Sequence, residues 1–147
     1  MFNLFNKKKE ENPISDAFIG LTLNQKMSIV NLLLTIGVSD GEQGNSEKEL
    51  RYLNTYVNIL NVRSDKSMQY LSAFGHQRIV DDLKNISSDQ KDILIVAAWE
   101  MITCDGNPNE MELQVTTNLF EQIGVNEDRF IETIKKTQAL MNHFFGK

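Results

Sequence analysis

The fold is predicted first from the stretch Gln90–Leu113, QKDILIVAAWEMITCDGNPNEMEL. Its segment Ile93–Cys104 is apolar at almost every position, which is typical of a helix at the centre of a bundle. The Asp-Gly pair that begins at Asp105 ends this helix, and Asn107 with Pro108 begins another. The stretch therefore predicts two helices joined by an acidic turn.

The same plan occurs a second time at Gln25–Leu50, QKMSIVNLLLTIGVSDGEQGNSEKEL, with two more residues in the turn. Gln25 and Gln90 lie 65 positions apart, and so do Asp40 and Asp105. After the turn an offset of 63 positions relates further pairs: Glu47 and Glu110, Glu49 and Glu112, Leu50 and Leu113, Tyr56 and Leu119, Val57 and Phe120, Leu60 and Ile123, Val62 and Val125, Asp65 and Asp128. We expect two helical-hairpin repeats, at about 22–74 and 87–140, packed with pseudo-two-fold symmetry.

The other segments also have apolar residues at helical spacing, and none alternates with period two for long enough to form a strand. A length of 147 residues is typical of one domain. We therefore predict an all-α, single-domain bundle of about seven or eight helices at 13–147, preceded by a tail at 1–12.

Composition excludes several classes of function. A net charge of -5 and a pI near 5.0 speak against nucleic-acid binding, which requires a basic face. The single cysteine excludes an internal disulfide and a zinc site built on paired cysteines. The longest apolar runs are too short to cross a bilayer and no secretory signal is visible, so we expect a cytoplasmic protein.

The tail, MFNLFNKKKEEN, places Phe2, Leu4 and Phe5 before the lysines at 7–9 and the glutamates at 10–11. We favour a frayed terminus or a segment that docks on the domain. The alternative is weak contact with a membrane surface, because apolar residues followed by a basic cluster suit anionic lipid. The protein would then be membrane-associated.

Catalytic motifs are absent from the sequence. His76 and His143 lie far apart without a metal-binding pattern, and no nucleophile motif or phosphate-binding loop occurs. Cys104 at a helix end beside an aspartate lacks the surroundings that lower a thiol pKa, so a buried structural role is expected. Trp99 is expected in the core. We predict that the protein is not an enzyme, with acid–base work by paired carboxylates as the least favoured hypothesis.

The acidic turns are the candidate site. Asp40 and Asp105 each end an apolar helix, where the helix dipole disfavours negative charge. The same unfavourable placement of an aspartate in both halves is typical of a functional residue. An aspartate beside glycine also satisfies turn amides, and Glu110 has the spacing of a helix-capping residue after Asn107. Clustered carboxylates without nitrogen or sulfur ligands suit Ca²⁺ or Mg²⁺.

An apolar helix followed by Asp-Gly and then Glu-x-Glu-Leu, occurring twice, resembles the tellurite-resistance TerB-like family over roughly 21–140. The resemblance implies an all-helical fold and a role in bacterial stress or toxic-anion resistance, often beside membrane-associated partners. It also implies that a divalent cation, a protein partner, or both bind at the acidic turns. Position by position, it implicates Asp40, Glu47 and Glu49 in the first turn and Asp105, Glu110 and Glu112 in the second. The alternative is a scaffold protein with no metal site, whose acids cap helices and provide solubility.

Overall fold

The computed structural model describes residues 18–38, 47–104 and 110–141. These residues form seven helices and no strand, which confirms the all-α class for the part of the chain described. In chain order the helices are α1 (Leu23–Gly37), α2 (Glu47–Leu60), α3 (Ser64–Phe74), α4 (His76–Lys84), α5 (Ser88–Thr103), α6 (Glu110–Gln122) and α7 (Glu127–Met141). None of these seven helices is both long and apolar enough to cross a bilayer.

Helices α1 and α5 lie at the centre of the bundle and pack against each other. The first also contacts α2, α3, α4 and α6, and the second also contacts α2, α6 and α7. Leu33 and Ile36 of α1 and Leu94 and Ala98 of α5 have no exposed surface. Burial of a large aliphatic side chain contributes about 1.5–3 kcal/mol, so this pair of apolar helices supplies much of the stabilising core.

The two central helices begin with the same capping arrangement. The hydroxyls of Thr22 and Ser87 accept hydrogen bonds from the backbone N–H groups of Gln25 and Gln90, at 3.0 and 3.1 Å. In return each glutamine oxygen accepts from the backbone N–H of its capping residue, at 2.9 Å. Such a capping box satisfies two amides that a helix start leaves without partners. It therefore fixes the first residue of both central helices.

The chain leaves α2 and α6 through turns with the same hydrogen bonds. Each turn has one residue at positive φ, Asn61 at 57° and Gly124 at 95°, which are the two residue types that best tolerate this conformation. In each turn a backbone N–H donates a hydrogen bond to the carbonyl five residues earlier: Val62 to Val57 at 3.2 Å, and Val125 to Phe120 at 2.8 Å. This is a Schellman motif, and it ends α2 and α6 in the same way.

Arg129 attaches the first turn of α7 to the first turn of α5. Its Nη2 donates to the Asp92 carboxylate at 2.9 Å and to the carbonyl and hydroxyl oxygens of Ser88 at 3.0 Å each. The Arg129 side chain is only 31% exposed, so the charge pair is partly shielded from solvent. The contact aligns the beginnings of α5 and α7.

Candidate binding site at the acidic turns

The predicted site residues divide into two groups. Asp40 and Asp105 lie outside the described residues. The four glutamates lie within them, in the first turns of α2 and α6: Glu47, Glu49, Glu110 and Glu112. The structure therefore describes the helix side of each candidate turn.

Glu47 and Glu110 begin their helices and are exposed. The Glu47 carboxylate accepts a hydrogen bond from Arg51 Nη2 at 2.8 Å, in an exposed pair four residues apart. No described lysine, arginine or histidine lies within 4.0 Å of the Glu110 carboxylate. Both positions suit helix initiation, since a carboxylate in the first turn interacts favourably with the helix dipole.

Glu49 and Glu112 are buried, with only 3% and 5% of their surfaces exposed. A carboxylate loses hydration when it is buried, and this costs free energy that hydrogen bonds and nearby positive dipoles must offset. The backbone amides at a helix N-terminus provide such a dipole. One carboxylate is therefore buried at the same position of α2 and of α6.

This inward orientation has a signal in the sequence. Glu49 precedes Leu53, Tyr56 and Leu60 at spacings of four, seven and eleven residues, and all three are buried. Glu112 precedes buried Thr116 by four residues, and the Thr116 hydroxyl donates a hydrogen bond to the Glu112 carbonyl at 2.6 Å. Residues at these spacings share one helix face. The glutamates at 49 and 112 therefore belong to the apolar stripes, unlike those at 47 and 110.

No group of three or more histidine, cysteine, aspartate or glutamate side chains with the spacing of a metal site occurs among residues 18–38, 47–104 and 110–141. Of the other residues considered from the sequence, His143 lies outside the described residues. His76 begins α4 and is exposed, and Cys104 caps α5 in a half-buried position. Trp99 is half-buried rather than fully enclosed in the core.

A polar network that the sequence reasoning missed joins α1, α3 and α4. The Asp82 carboxylate accepts from the Ser28 hydroxyl at 2.8 Å and from the Tyr70 hydroxyl at 2.6 Å. Arg78 donates to the Tyr70 oxygen at 3.5 Å and lies over the Phe74 ring, 4.5 Å from its centroid. The one local sign of this network is a serine within the apolar pattern of α1. The network holds α1, α3 and α4 together around the Asp82 carboxylate.

All three tyrosines of the chain have a pKa above the ordinary value. Burial and the hydrogen bond to the Glu100 carboxylate raise the pKa of Tyr52, and burial raises the pKa of Tyr56 beside it. Burial and the hydrogen bond to Asp82 raise the pKa of Tyr70. In each case the folded protein favours the neutral phenol.

We expect the tyrosines of the folded protein, followed by absorbance at 295 nm, to titrate at a higher pH than free tyrosine, which ionises at about pH 10. In concentrated urea the same chain is expected to titrate there. Because the folded pKa values exceed the unfolded ones, the neutral tyrosines stabilise the fold below pH about 10 and this contribution is lost as the pH rises further. A folded-state titration of two or more tyrosines near pH 10 would contradict these hydrogen bonds and their burial.

The described residues define an all-helical domain with an inward and an outward carboxylate at the start of two helices. Comparison of the chain with protein-family models, with curated proteins and with solved structures finds no match. The functional conclusion therefore depends on the residues and contacts described above.

Proposed function

We propose that the protein is a non-enzymatic, TerB-like helical module that binds a divalent cation, a protein partner, or both through its two acidic turns. The observation that carries this proposal is the burial of Glu49 and Glu112 at corresponding positions of α2 and α6. Acids that only provide solubility would remain in solvent, since burial of a carboxylate is costly. Two buried carboxylates beside acidic turns favour a role for negative charge inside the protein.

The proposal treats the two turns as parts of a duplicated unit. The capping boxes at Thr22 and Ser87 support this, because they lie 65 positions apart. The turns that contain Asn61 and Gly124 support it as well, because their backbone hydrogen bonds match at an offset of 63 positions. Shared backbone detail is a stronger sign of duplication than shared apolar patterning.

Carboxylate oxygens are the ligands that Ca²⁺ and Mg²⁺ prefer. In the proposed first site Asp40 contributes from the turn, Glu49 from the buried face of α2 and Glu47 from its exposed end. In the second site Asp105, Glu112 and Glu110 take these roles. Ca²⁺ is the favoured ion, because it accepts irregular sets of six to eight oxygens more readily than Mg²⁺. The cellular role proposed is the one that the family resemblance implies, in bacterial stress or toxic-anion resistance.

Calcium is expected to raise the Tm of the folded protein. At a free concentration of about 100 times Kd, each of the two proposed sites stabilises by about 2.7 kcal/mol, which for a chain of this size raises the Tm by about 5–10 °C per site. Asp40→Asn combined with Asp105→Asn is expected to abolish the rise, as measured by circular dichroism during heating.

The matched control is Asp81→Asn combined with Asp128→Asn, which removes the same charge from exposed positions on α4 and α7. This variant should keep the full calcium response. An unchanged Tm up to millimolar calcium, or an equal loss in both double variants, would refute a cation site at the turns.

The second candidate is a scaffold protein whose acids serve helix initiation. The salt bridge between Glu47 and Arg51 favours it, because that carboxylate already has a partner within its own helix. The positions of Glu110 and Glu112 in the first turn of α6 also suit the helix dipole. A scaffold with no metal site would show no rise in Tm with calcium.

A further inference from the structure

An apolar groove opens between α6 and α7, and Trp99 of α5 forms part of its lining. Its volume is about 830 Å³. We call it the α6–α7 groove, and its apolar lining consists of Trp99, Met111, Leu113, Phe130, Ile131 and Ile134. Phe130 and Ile134 are buried, whereas Met111 is 57% and Ile131 41% exposed. Clustered apolar surface of this kind marks an interaction site on a folded protein.

The groove is long enough to accept a helix of several turns. Its lining residues follow α7 from Glu127 to Gln138, which corresponds to three helical turns and about 16 Å. Along α6 they extend from Glu110 to Thr117. Two helices with an apolar trough between them accept the apolar face of a third helix, through contacts repeated every three or four residues.

The edges of the groove are mainly acidic. Glu110 begins α6 and Glu127 begins α7, so in the hairpin of these two helices the carboxylates lie towards opposite ends of the trough. Both are exposed, and no described cation lies within 4.0 Å of either. Lys135 is the single basic residue among the described residues of the lining. Charge complementarity therefore favours an occupant with a basic polar face.

The corresponding surface of the first half has different charges. Leu50 and Met68, which lie 63 residues before Leu113 and Ile131, are exposed by 45% and 54%, whereas Leu113 itself is half-buried. The residues that correspond to Met111, Gln114 and Glu127 are Lys48, Arg51 and Ser64. Arg51 also neutralises Glu47, the counterpart of Glu110. The acidic edge is therefore a property of the α6–α7 groove and not a general consequence of the fold.

We propose that the α6–α7 groove binds an amphipathic helix of a partner protein whose polar face carries lysine or arginine. The apolar side of that helix contacts Met111, Ile131 and Trp99, and its basic side chains lie against Glu110 and Glu127. This inference deepens the proposed function, since Glu110 borders the second acidic turn, and it names the class of protein partner. Binding in the groove requires no cation, so it is measured in EDTA and its outcome is independent of the calcium test.

The probe is a synthetic Leu/Lys amphipathic peptide of about five helical turns, compared with a Leu/Glu peptide of the same pattern. Neither contains tryptophan, so the fluorescence of Trp99, the single tryptophan of the chain, reports occupancy of the groove. The Leu/Lys peptide is expected to change the emission saturably, and the Leu/Glu peptide is expected to have no effect. Ile131→Lys is expected to weaken binding by about 10-fold or more, because it removes a central apolar contact and adds a repelling charge.

The matched control is Met68→Lys, at the corresponding exposed position of α3, which is expected to leave Kd within about 2-fold. An equal loss in both variants, binding of the Leu/Glu peptide, or no saturable response would overturn the proposal. Two further outcomes would also overturn it by naming another occupant. A dimer in sedimentation that Ile131→Lys dissociates would identify a second copy of the chain. Peptide binding only after Phe2→Ser with Phe5→Ser would identify the chain's own tail.

Discussion

Asn31→Asp is expected to lower the free energy of unfolding by about 3–5 kcal/mol at neutral pH. Asn31 has no exposed surface, and its Nδ2 donates to the Ser67 carbonyl at 2.9 Å across the contact between α1 and α3. Aspartate has almost the same size and shape, so packing is preserved. The substitution replaces a donor with a charged acceptor facing that carbonyl. Among the described residues Asn31 Oδ1 has no hydrogen-bond partner, so no existing donor compensates the new charge.

The loss is expected to depend on pH. Burial raises the pKa of the introduced aspartate in the folded state above its unfolded value of about 3.9, so the destabilisation grows as the pH rises above about 3.9. Below that pH the protonated carboxyl can donate to the Ser67 carbonyl, and most of the stability returns. Urea unfolding at two pH values measures this difference. Asn58→Asp, on the exposed side of α2, is the matched control and is expected to change stability by less than about 0.5 kcal/mol.

Phe120→Ala is expected to lower the free energy of unfolding by about 3–5 kcal/mol at all pH values where the protein is folded. Phe120 has no exposed surface, and its ring centroid lies 5.2 Å from that of Phe130 in a tilted arrangement. It therefore joins α6 to α7 at the point where the two helices meet. Truncation removes both the buried area and the aromatic contact, and it leaves a cavity that the helices fill only in part.

Met111→Ala is the control for this prediction. Met111 lies on the same helix and is 57% exposed, so its truncation is expected to cost less than about 1 kcal/mol. Stability is measured by urea denaturation. An unchanged m value would show that neither substitution alters the compactness of the unfolded chain. A loss of less than about 1 kcal/mol for Phe120→Ala would contradict the packing of α6 on α7.

The helical class could be predicted from the sequence because periodicity and capping are local. The apolar run Ile93–Cys104 forms the later part of α5 and its C-cap, and the helix starts five residues earlier, at Ser88. That earlier start follows from Ser87 and Gln90, whose capping box extends the helix beyond its apolar part. Local side-chain chemistry thus determines where a helix begins, and spacing determines which face is apolar.

The contacts between helices depend on residues that lie far apart in the sequence. Asn31 and Ser67 are 36 residues apart, and Tyr52 and Glu100 are 48 apart, so no local pattern indicates that they meet. The burial of Glu49 and Glu112 could have been inferred, because both continue an apolar stripe. The α6–α7 groove likewise depends on how two helices diverge, which their sequences do not specify.

We propose one cation site at each acidic turn, and equilibrium dialysis against radioactive calcium counts the ions that each chain binds. The unchanged protein is expected to bind about two Ca²⁺ ions per chain, through carboxylate oxygens of both turns. Asp105→Asn or Asp40→Asn alone should remove about one ion, and the double variant should bind none. Absence of bound calcium at millimolar concentration, or two ions still bound by the double variant, would contradict the claim.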